Sequence, residues 1–159
     1  MLAAMTVQAD QVLSADERIV ALTILGEARG EGKMGMYAVG CVIQQRAIER
    51  KLTPAKVCQQ KWQFSIWNGK DRQGKYRLKK ESELYNLWNS KSKMYARELA
   101  RALCSGSKFC QKTTGDANHY CTLNTNPYWA KKKVKIAGEY KTVIIKPVKI
   151  IGNHKFYKL

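Results

Sequence analysis

The chain has 159 residues, 45% of them hydrophobic and 26% charged, and 29 Lys and Arg stand against 12 Asp and Glu for a net charge of +17. This length suits one domain with its own core, and the composition excludes a disordered or fibrous chain. So positive a chain attracts polyanions: nucleic acid, an anionic membrane or an anionic cell-wall polymer. Charge alone does not choose among them.

The chain is interpreted as an N-terminal extension over residues 1–13 and one domain over residues 14–159. The extension has neither the basic start nor the long apolar stretch of a secretory signal. No apolar run approaches the roughly 18 residues that a membrane helix needs. We therefore expect a monomer, made in the cytoplasm, with no membrane span.

The first predicted helix has clear signals at both ends. Ser14 followed three residues later by Glu17 is a capping box, which opens a helix. The helix runs to about Leu25–Glu27, where Gly30 and Gly32 end it.

Three further helices follow. Apolar residues spaced by three and four predict a helix over about 34–50. Thr53–Pro54 opens a short third helix, because Thr caps and Pro suits the first helical position. Residues 59–80 are predicted to be mostly loop, and a long helix runs from about Glu81 until Gly106 ends it.

The C-terminal part changes character. Its apolar segments are short, β-branched and interleaved with lysine, which predicts strands or extended segments. These are residues 119–122, 134–136, 142–145 and 148–151. Because helices come first and strands last, the fold class is α+β, with a small C-terminal antiparallel sheet or hairpin.

Two acidic residues, Glu27 and Glu31, follow the apolar run Ile19–Leu25 directly. Burial and the negative end of a helix dipole both favour the protonated carboxyl form that a general acid needs. The other interpretation is a solvated, frayed helix end. Glu31 can alternatively pair with Arg29 or accept hydrogen bonds from loop amides.

Three loop-like segments combine aromatic rings with amides and hydroxyls, a composition typical of sugar-binding sites, although aromatics plugging the edge of a core give the same pattern. They are residues 63–68, 118–120 and 124–129.

The five cysteines include no CxxC pair, which argues against a disulfide framework and a standard zinc module. A metal site built from Cys104, Cys110, His119 and Cys121 fits no usual spacing, and buried thiols are the favoured interpretation. We expect no metal and no cofactor.

Six short elements follow one another over about residues 17–157. They are GEARGEG at 26–32, AVGCVIQQR at 38–46, PAKVC at 54–58, QFS at 63–65, HYC at 119–121 and IGNHKFY at 151–157. Their types and order resemble those of the SleB/CwlJ-type cell-wall hydrolases. The chain departs from the family pattern at Gln45, where Asn is usual, and at Cys121, which replaces a second Tyr.

The resemblance implies a fold similar to lysozyme-like lytic transglycosylases and a partner, the peptidoglycan glycan strand. It implies that Glu27 is the catalytic acid, which would cleave the MurNAc–GlcNAc bond and form a 1,6-anhydro product. Glu31 is assigned to substrate binding. Other candidates are hydrogen-bonding residues Gln63, Ser65 and Tyr120 and stacking residues Trp67 and Trp129. His154 is expected to fix the C-terminal strand.

Two other functions stay open. One is a lysozyme-type hydrolase that uses Glu27 with a second carboxylate, for which Asp71 and Asp116 are the nearest candidates. The other is a basic nucleic-acid-binding protein, although no nucleic-acid-binding motif is present and we expect no such partner. The missing export signal favours a phage endolysin that reaches the wall after holin-type release.

Overall fold

The computed structural model describes residues 12–108 and 113–159. Most of the predicted N-terminal extension therefore lies outside the described residues. The helices are α1 Ala15–Ala28, α2 Gly32–Arg50, α3 Pro54–Cys58 and α4 Lys93–Cys104, with 3₁₀ segments at Ser65–Trp67, Glu81–Asn89 and Tyr128–Ala130. The strands are β1 Asn68–Lys70, β2 Tyr76–Leu78, β3 His119–Thr122, β4 Lys131–Ile136, β5 Glu139–Ile144, β6 Lys149–Ile151 and β7 His154–Tyr157.

Helix α1 is the centre of the core. Six consecutive residues, Val20 to Leu25, have 0% exposure, so the helix is covered on all sides. Helices α2, α3 and α4 and the first two 3₁₀ segments all contact it. A helix that is apolar all round is stable only when it is buried in this way. The predicted capping box at its start is present, with Ser14 N donating to Glu17 Oε2 at 2.8 Å.

Residues 59–80 contain more structure than the sequence predicted. Strands β1 and β2 pair antiparallel, and the Asp71 carboxylate turns the chain between them by accepting from the amides of Gln73 and Lys75 at 2.9 and 2.8 Å. Side-chain bonds of this kind replace backbone bonds in tight turns. Gly74 completes the turn with φ +78°.

The predicted long helix after Glu81 is instead two elements. A 3₁₀ segment ends at Asn89, and α4 begins at Lys93. Ser90 between them is extended, with ψ 138°, and its hydroxyl accepts from the Ser92 amide at 3.2 Å. Serine favours such local bonds over continued helix, which explains the break.

A three-stranded antiparallel sheet with strand order β3-β7-β6 packs on α2. Phe156 of β7 lies with Ala38 and Val42 of α2 in a second, smaller apolar cluster, and Tyr120 packs against it. Helix α2 thus contacts α1 and this sheet at once, and the seam between them holds the site described below.

Strands β4 and β5 form a separate two-stranded hairpin between β3 and β6. The α+β class and the small C-terminal antiparallel sheets are therefore confirmed. Within the described residues, none of the helices combines the length and apolarity that crossing a membrane requires.

Candidate active site

Glu27 lies in the last turn of α1, half-buried, and three donors reach its carboxyl group. Tyr120 Oη donates to Oε2 at 2.9 Å. Ser65 Oγ donates to Oε1 at 3.2 Å, and the Ile66 amide lies 3.4 Å from the same oxygen. Two segments far apart in sequence therefore hold one carboxyl group at the end of the most buried helix.

The close approach of the Ser65–Trp67 segment depends on the residue before Glu27. A Cβ atom on Gly26 would lie 2.3 Å from Ile66 Cγ2, inside any allowed contact. Because Gly26 has no side chain, Ile66 packs directly on α1 and brings the Ser65 hydroxyl to the carboxylate. Gly26 of the GEARGEG element is therefore needed for the close packing of Ile66 on α1.

Tyr120 projects from β3, an edge strand of the three-stranded sheet, toward Glu27. Its ring packs against Phe156 at 5.7 Å and against the edge of His154 at 5.3 Å. Burial and the neighbouring Glu27 carboxylate raise the pKa of Tyr120 well above its usual range. The phenol therefore stays protonated and acts as a hydrogen-bond donor at any physiological pH.

Arg46 is a site residue that motif reasoning did not single out. It is 4% exposed, and its guanidinium donates to Asn118 O at 2.7 Å and to Gln63 O at 3.4 Å. Gln63 precedes Ser65 by two residues and Asn118 precedes Tyr120 by two, so one buried cation joins both segments that supply donors to Glu27.

A sequence signal for Arg46 exists. Val39 and Ile43 of α2 lie in the main core, and Arg46 continues their spacing on the same helix face. Burial is the main cause that lowers its pKa to about 10, with a smaller effect from Arg50. The group is therefore still charged at neutral pH.

Glu31 has a different environment from Glu27. Its Oε2 accepts from the Asn153 amide at 2.7 Å, in the turn between β6 and β7. Gly152, with φ +55°, leaves room for this contact, since a Cβ there would lie 2.5 Å from Oε2. Of the alternatives for Glu31, the structure shows a bond to a loop amide, which ties the sheet to the start of α2.

The predicted stacking residue Trp67 lies in the core, and that prediction is wrong. Its ring is 1% exposed, and its indole Nε1 donates to Thr23 Oγ1 of α1 at 2.8 Å. A ring with both faces covered cannot stack on a sugar. Trp67 instead anchors the segment that carries Ser65, while Gln63 contributes its carbonyl to Arg46.

Trp129 does not join Glu27 either. Its ring contacts His119 at 5.1 Å and Tyr157 at 5.3 Å, and these two residues pair across β3 and β7. Because side chains alternate along a strand, His119 and Tyr157 lie on the sheet face opposite to Tyr120. The structure thus places Trp129 on the far side of the sheet from the carboxyl group.

Among the described residues there is no group of three His, Cys, Asp or Glu placed to hold a metal ion. Cys110, one of the four residues considered above as metal ligands, lies outside the described residues. Burial raises the pKa of Cys58 to about 12 and that of Cys104 to about 11, so both stay as thiols. Burial, with Arg46 and Arg50, lowers the pKa of His119 to about 4 and keeps it neutral.

The arrangement can perform proton transfer. A half-buried carboxyl group faces solvent at a position fixed by the core, and hydroxyl donors contact both of its oxygens. Such a group can give a proton to a leaving oxygen and be stabilised as a carboxylate afterwards.

A model of the family described as Cell Wall Hydrolase matches residues 30–157, most of the chain. This match confirms the resemblance to SleB/CwlJ-type cell-wall hydrolases. The matched segment includes Arg46, Ser65 and Tyr120 and begins three residues after Glu27. Comparisons with curated proteins and with solved structures gave no match.

Proposed function

The chain belongs to the cell wall hydrolase family, and we propose that it cleaves the MurNAc–GlcNAc bond of peptidoglycan glycan strands with Glu27 as general acid. The observation that carries this proposal is the set of donors on Glu27. Tyr120 and Ser65 come from separate segments and converge on one solvent-reachable carboxyl group.

The proposed reaction is that of a lytic transglycosylase with one glutamate. Protonated Glu27 gives its proton to the glycosidic oxygen as the bond to the sugar C1 breaks. The resulting carboxylate then takes the proton from the C6 hydroxyl of the same sugar, whose oxygen bonds to C1. The product is a 1,6-anhydro sugar, Glu27 regains its proton, and no water is consumed.

The partners of six other carboxylates in the described part of the chain support a single acid. Ordinary glycoside hydrolases place two carboxyl groups about 5–9.5 Å apart across the bond. Here Glu31 accepts from the Asn153 amide, Glu49 from Asn118, and Asp71 from its own turn. Glu81 and Glu83 pair with arginines. Asp116, the second candidate acid of a two-carboxylate hydrolase, lies 3.7 Å from Lys158 Nζ.

Tyr120 and Ser65 have a defined role in this scheme. Their hydroxyls stabilise the carboxylate that exists between the two proton transfers and set its orientation toward the sugar. Gln63 and Glu31, proposed from sequence as substrate contacts, bond to protein groups through a carbonyl and a carboxylate respectively.

Mass spectrometry of soluble fragments from purified peptidoglycan tests the proposal, with wild type and Glu27→Gln compared. Wild type is expected to release fragments one water lighter than hydrolysed ones, and the variant none. Ordinary reducing ends would show a muramidase with a second catalytic group. Equal release by the variant would remove Glu27 from the mechanism.

A further inference from the structure

Trp62 is a large aromatic side chain that lies at the surface. It is 62% exposed, whereas the other three tryptophans of the chain are buried or half-buried. It belongs to neither of the two apolar clusters that the described residues form. Burial of an indole ring is strongly favourable, so the exposed position of Trp62 is not explained by the core.

The backbone at Trp62 has a conformation that tryptophan rarely adopts. Residues Gln60 to Gln63 form a turn, in which the Gln63 amide donates to Gln60 O at 3.1 Å. Trp62 is the third residue of this turn and has φ +65°, a left-handed position at which glycine is usual. A bulky residue in this region is an outlier. Strained positions persist where the surrounding structure holds them, and they concentrate at ligand-binding sites.

Two neighbouring side chains fix the orientation of the Trp62 ring. The half-buried Tyr76 of β2 has its ring centre 4.5 Å from that of Trp62, at an angle of 49° between the rings. The Lys61 ammonium lies 5.6 Å from the Trp62 ring centre and 5.0 Å from that of Tyr76, within cation–π range of both. These three side chains form the Trp62 platform, whose largest ring is open to solvent.

The Trp62 platform is close to the Glu27 site. Ser65, whose hydroxyl donates to Glu27, follows Trp62 by three residues, and both are exposed. Three residues of chain reach at most about 10–11 Å, so the Cα atoms of Trp62 and Ser65 lie no farther apart than that. A short oligosaccharide spans this distance, and one glycan strand is therefore long enough to contact the carboxyl group and the platform together.

The same core contacts hold the platform and the Ser65 segment in place. Between Trp62 and Ser65, the Gln63 carbonyl accepts from the buried Arg46, and the ring of Phe64 lies 5.1 Å from the same guanidinium. Strand β2, which carries the tyrosine of the platform, pairs with β1, which follows the 3₁₀ segment directly. A ring stacked on Trp62 would therefore have a fixed place relative to the site.

We propose that the Trp62 platform is a subsite that stacks one N-acetylhexosamine ring of the glycan strand, a short way along the strand from the bond at Glu27. A pyranose ring has a face of C–H groups that packs on an indole ring while its hydroxyls stay in solvent. An open platform suits a polymer that continues past the site, whereas a small ligand needs an enclosing pocket. The inference rests on the proposed function for the identity of the polymer and adds a contact away from the reacting bond.

NMR of the indole Nε1–H groups during a titration tests the proposal. The probe is the soluble, peptide-free glycan strand that an amidase releases from purified peptidoglycan. The protein carries Glu27→Gln, so that binding is read without cleavage. The chain has four tryptophans, and the indole signal that disappears in Trp62→Leu identifies Trp62. We expect the Trp62 signal to shift on binding and the signal of the buried Trp67 to stay in place.

Substitutions in the same background measure the contribution of the ring. Trp62→Leu removes the aromatic face but keeps an apolar side chain, and we expect the Kd for the strand to rise about tenfold or more. Trp62→Tyr keeps a ring and should stay within about threefold of the parent. The matched control is Tyr140→Leu, because Tyr140 is 73% exposed with the Lys135 ammonium 5.9 Å from its ring but lies on β5. Its Kd should also stay within about threefold.

Trp62→Gly separates binding from folding. Glycine adopts φ +65° without steric strain, so the thermal midpoint should stay at or above that of the parent. The affinity for the strand should nevertheless fall as it does in Trp62→Leu. A lower midpoint with unchanged affinity would show that the ring only supports the fold, and it would overturn the proposal.

Three further results would overturn the proposal. A Trp62 indole signal that does not move at the highest strand concentration would remove the ring from the binding surface. An equal loss of affinity in Tyr140→Leu would show that any exposed aromatic ring has the same effect. Tighter binding of a single-stranded oligonucleotide at the same salt, with a shift of the same indole signal, would reassign the platform to base stacking.

Failure of the subsite and failure of the catalytic proposal give different results. If Glu27→Gln still degrades walls, the catalytic proposal fails, and the indole shift, read before products accumulate, still decides the subsite. If Trp62→Leu with Glu27 intact keeps the KM for glycan strands unchanged, the subsite fails and the catalytic proposal stands.

Discussion

Glu27 and Glu31 belong to one seven-residue element, yet they lie in two regions with different chemistry. Around Glu27, side-chain hydroxyls from the Ser65–Trp67 segment and from β3 converge on a carboxyl group. Around Glu31, one backbone amide of the β6–β7 turn takes up the carboxylate. The first environment leaves a half-buried carboxyl group with hydroxyl donors on both of its oxygens, whereas the second holds two elements together.

The comparison teaches that two carboxylates of one motif can have quite different hydrogen-bond partners, from which we infer different roles. Hydroxyl donors that packing holds in place can stabilise negative charge as it develops, while a carboxylate bonded to the amide of a fixed turn is a structural tie. Four experiments can break or sharpen this comparison.

The largest expected effect is the contrast between Glu27→Gln and Glu31→Gln. Loss of the general acid should reduce wall-degrading activity by about 10²–10⁴-fold with little change in stability. Glu31→Gln should keep activity within about tenfold but lower the free energy of unfolding by about 1 kcal/mol, because a charge-assisted bond is lost. Dye-release from labelled walls and urea unfolding measure the two effects. A reversed pattern would exchange the two roles.

Arg46→Met should have the next largest effect, on stability and on activity together. It removes the donor that joins Asn118 O to Gln63 O, and two carbonyl groups lose their partner. We expect a loss of about 2–4 kcal/mol in unfolding free energy. Arg46→Lys keeps the charge and should recover part of it, while Arg50→Met provides the matched control on the same helix. Unchanged activity in a folded Arg46→Met protein would contradict the role in positioning.

Trp67→Phe should destabilise the protein by about 2 kcal/mol, because it removes a bond to Thr23 and leaves a gap beside α1. Trp129→Phe, on the far face of the sheet, should cost less than about 1 kcal/mol and leave the turnover rate on walls nearly unchanged. Thermal unfolding and steady-state rates compare the pair. A selective loss of substrate affinity in Trp129→Phe would bring Trp129 back into sugar binding.

The smallest expected effect is a pH dependence from Glu49. Burial alone would raise the pKa of this carboxyl group, but hydrogen bonds from Gln45, Lys158 and Asn118 lower it from 4.5 to about 2. Its contribution is therefore present above about pH 4.5 and is lost as pH falls toward 2. We expect about 1 kcal/mol, the size of partly exposed ion pairs. Chemical unfolding between pH 2 and 6 measures the free energies of unfolding of wild type and Glu49→Gln, which should converge at the acidic end. Parallel curves would show that Glu49 does not cause the pH dependence.

Much of the site was predictable because its signals are local or belong to ordered motifs. The capping box and the apolar run placed Glu27 at the end of a buried helix, and the motif order pointed to Ser65 and Tyr120. Arg46 was missed because its role depends on hydrogen bonds to two carbonyl groups that lie 17 and 72 residues away in the sequence. Trp67 was misassigned because composition cannot tell which side chain is buried, and the stacking role of Trp129, which lies away from Glu27, stays a prediction.

By itself, the sequence determined the α+β class, the start of α1, the Thr53–Pro54 helix, strand β3 and the family. These depend on periodicity, caps and motif order, which neighbouring residues set. Only the tertiary structure decided which hydroxyls meet Glu27, which tryptophan is buried and which is exposed. Those facts depend on packing between segments that are distant along the chain, where a single helix end or strand register moves a side chain from one environment to another.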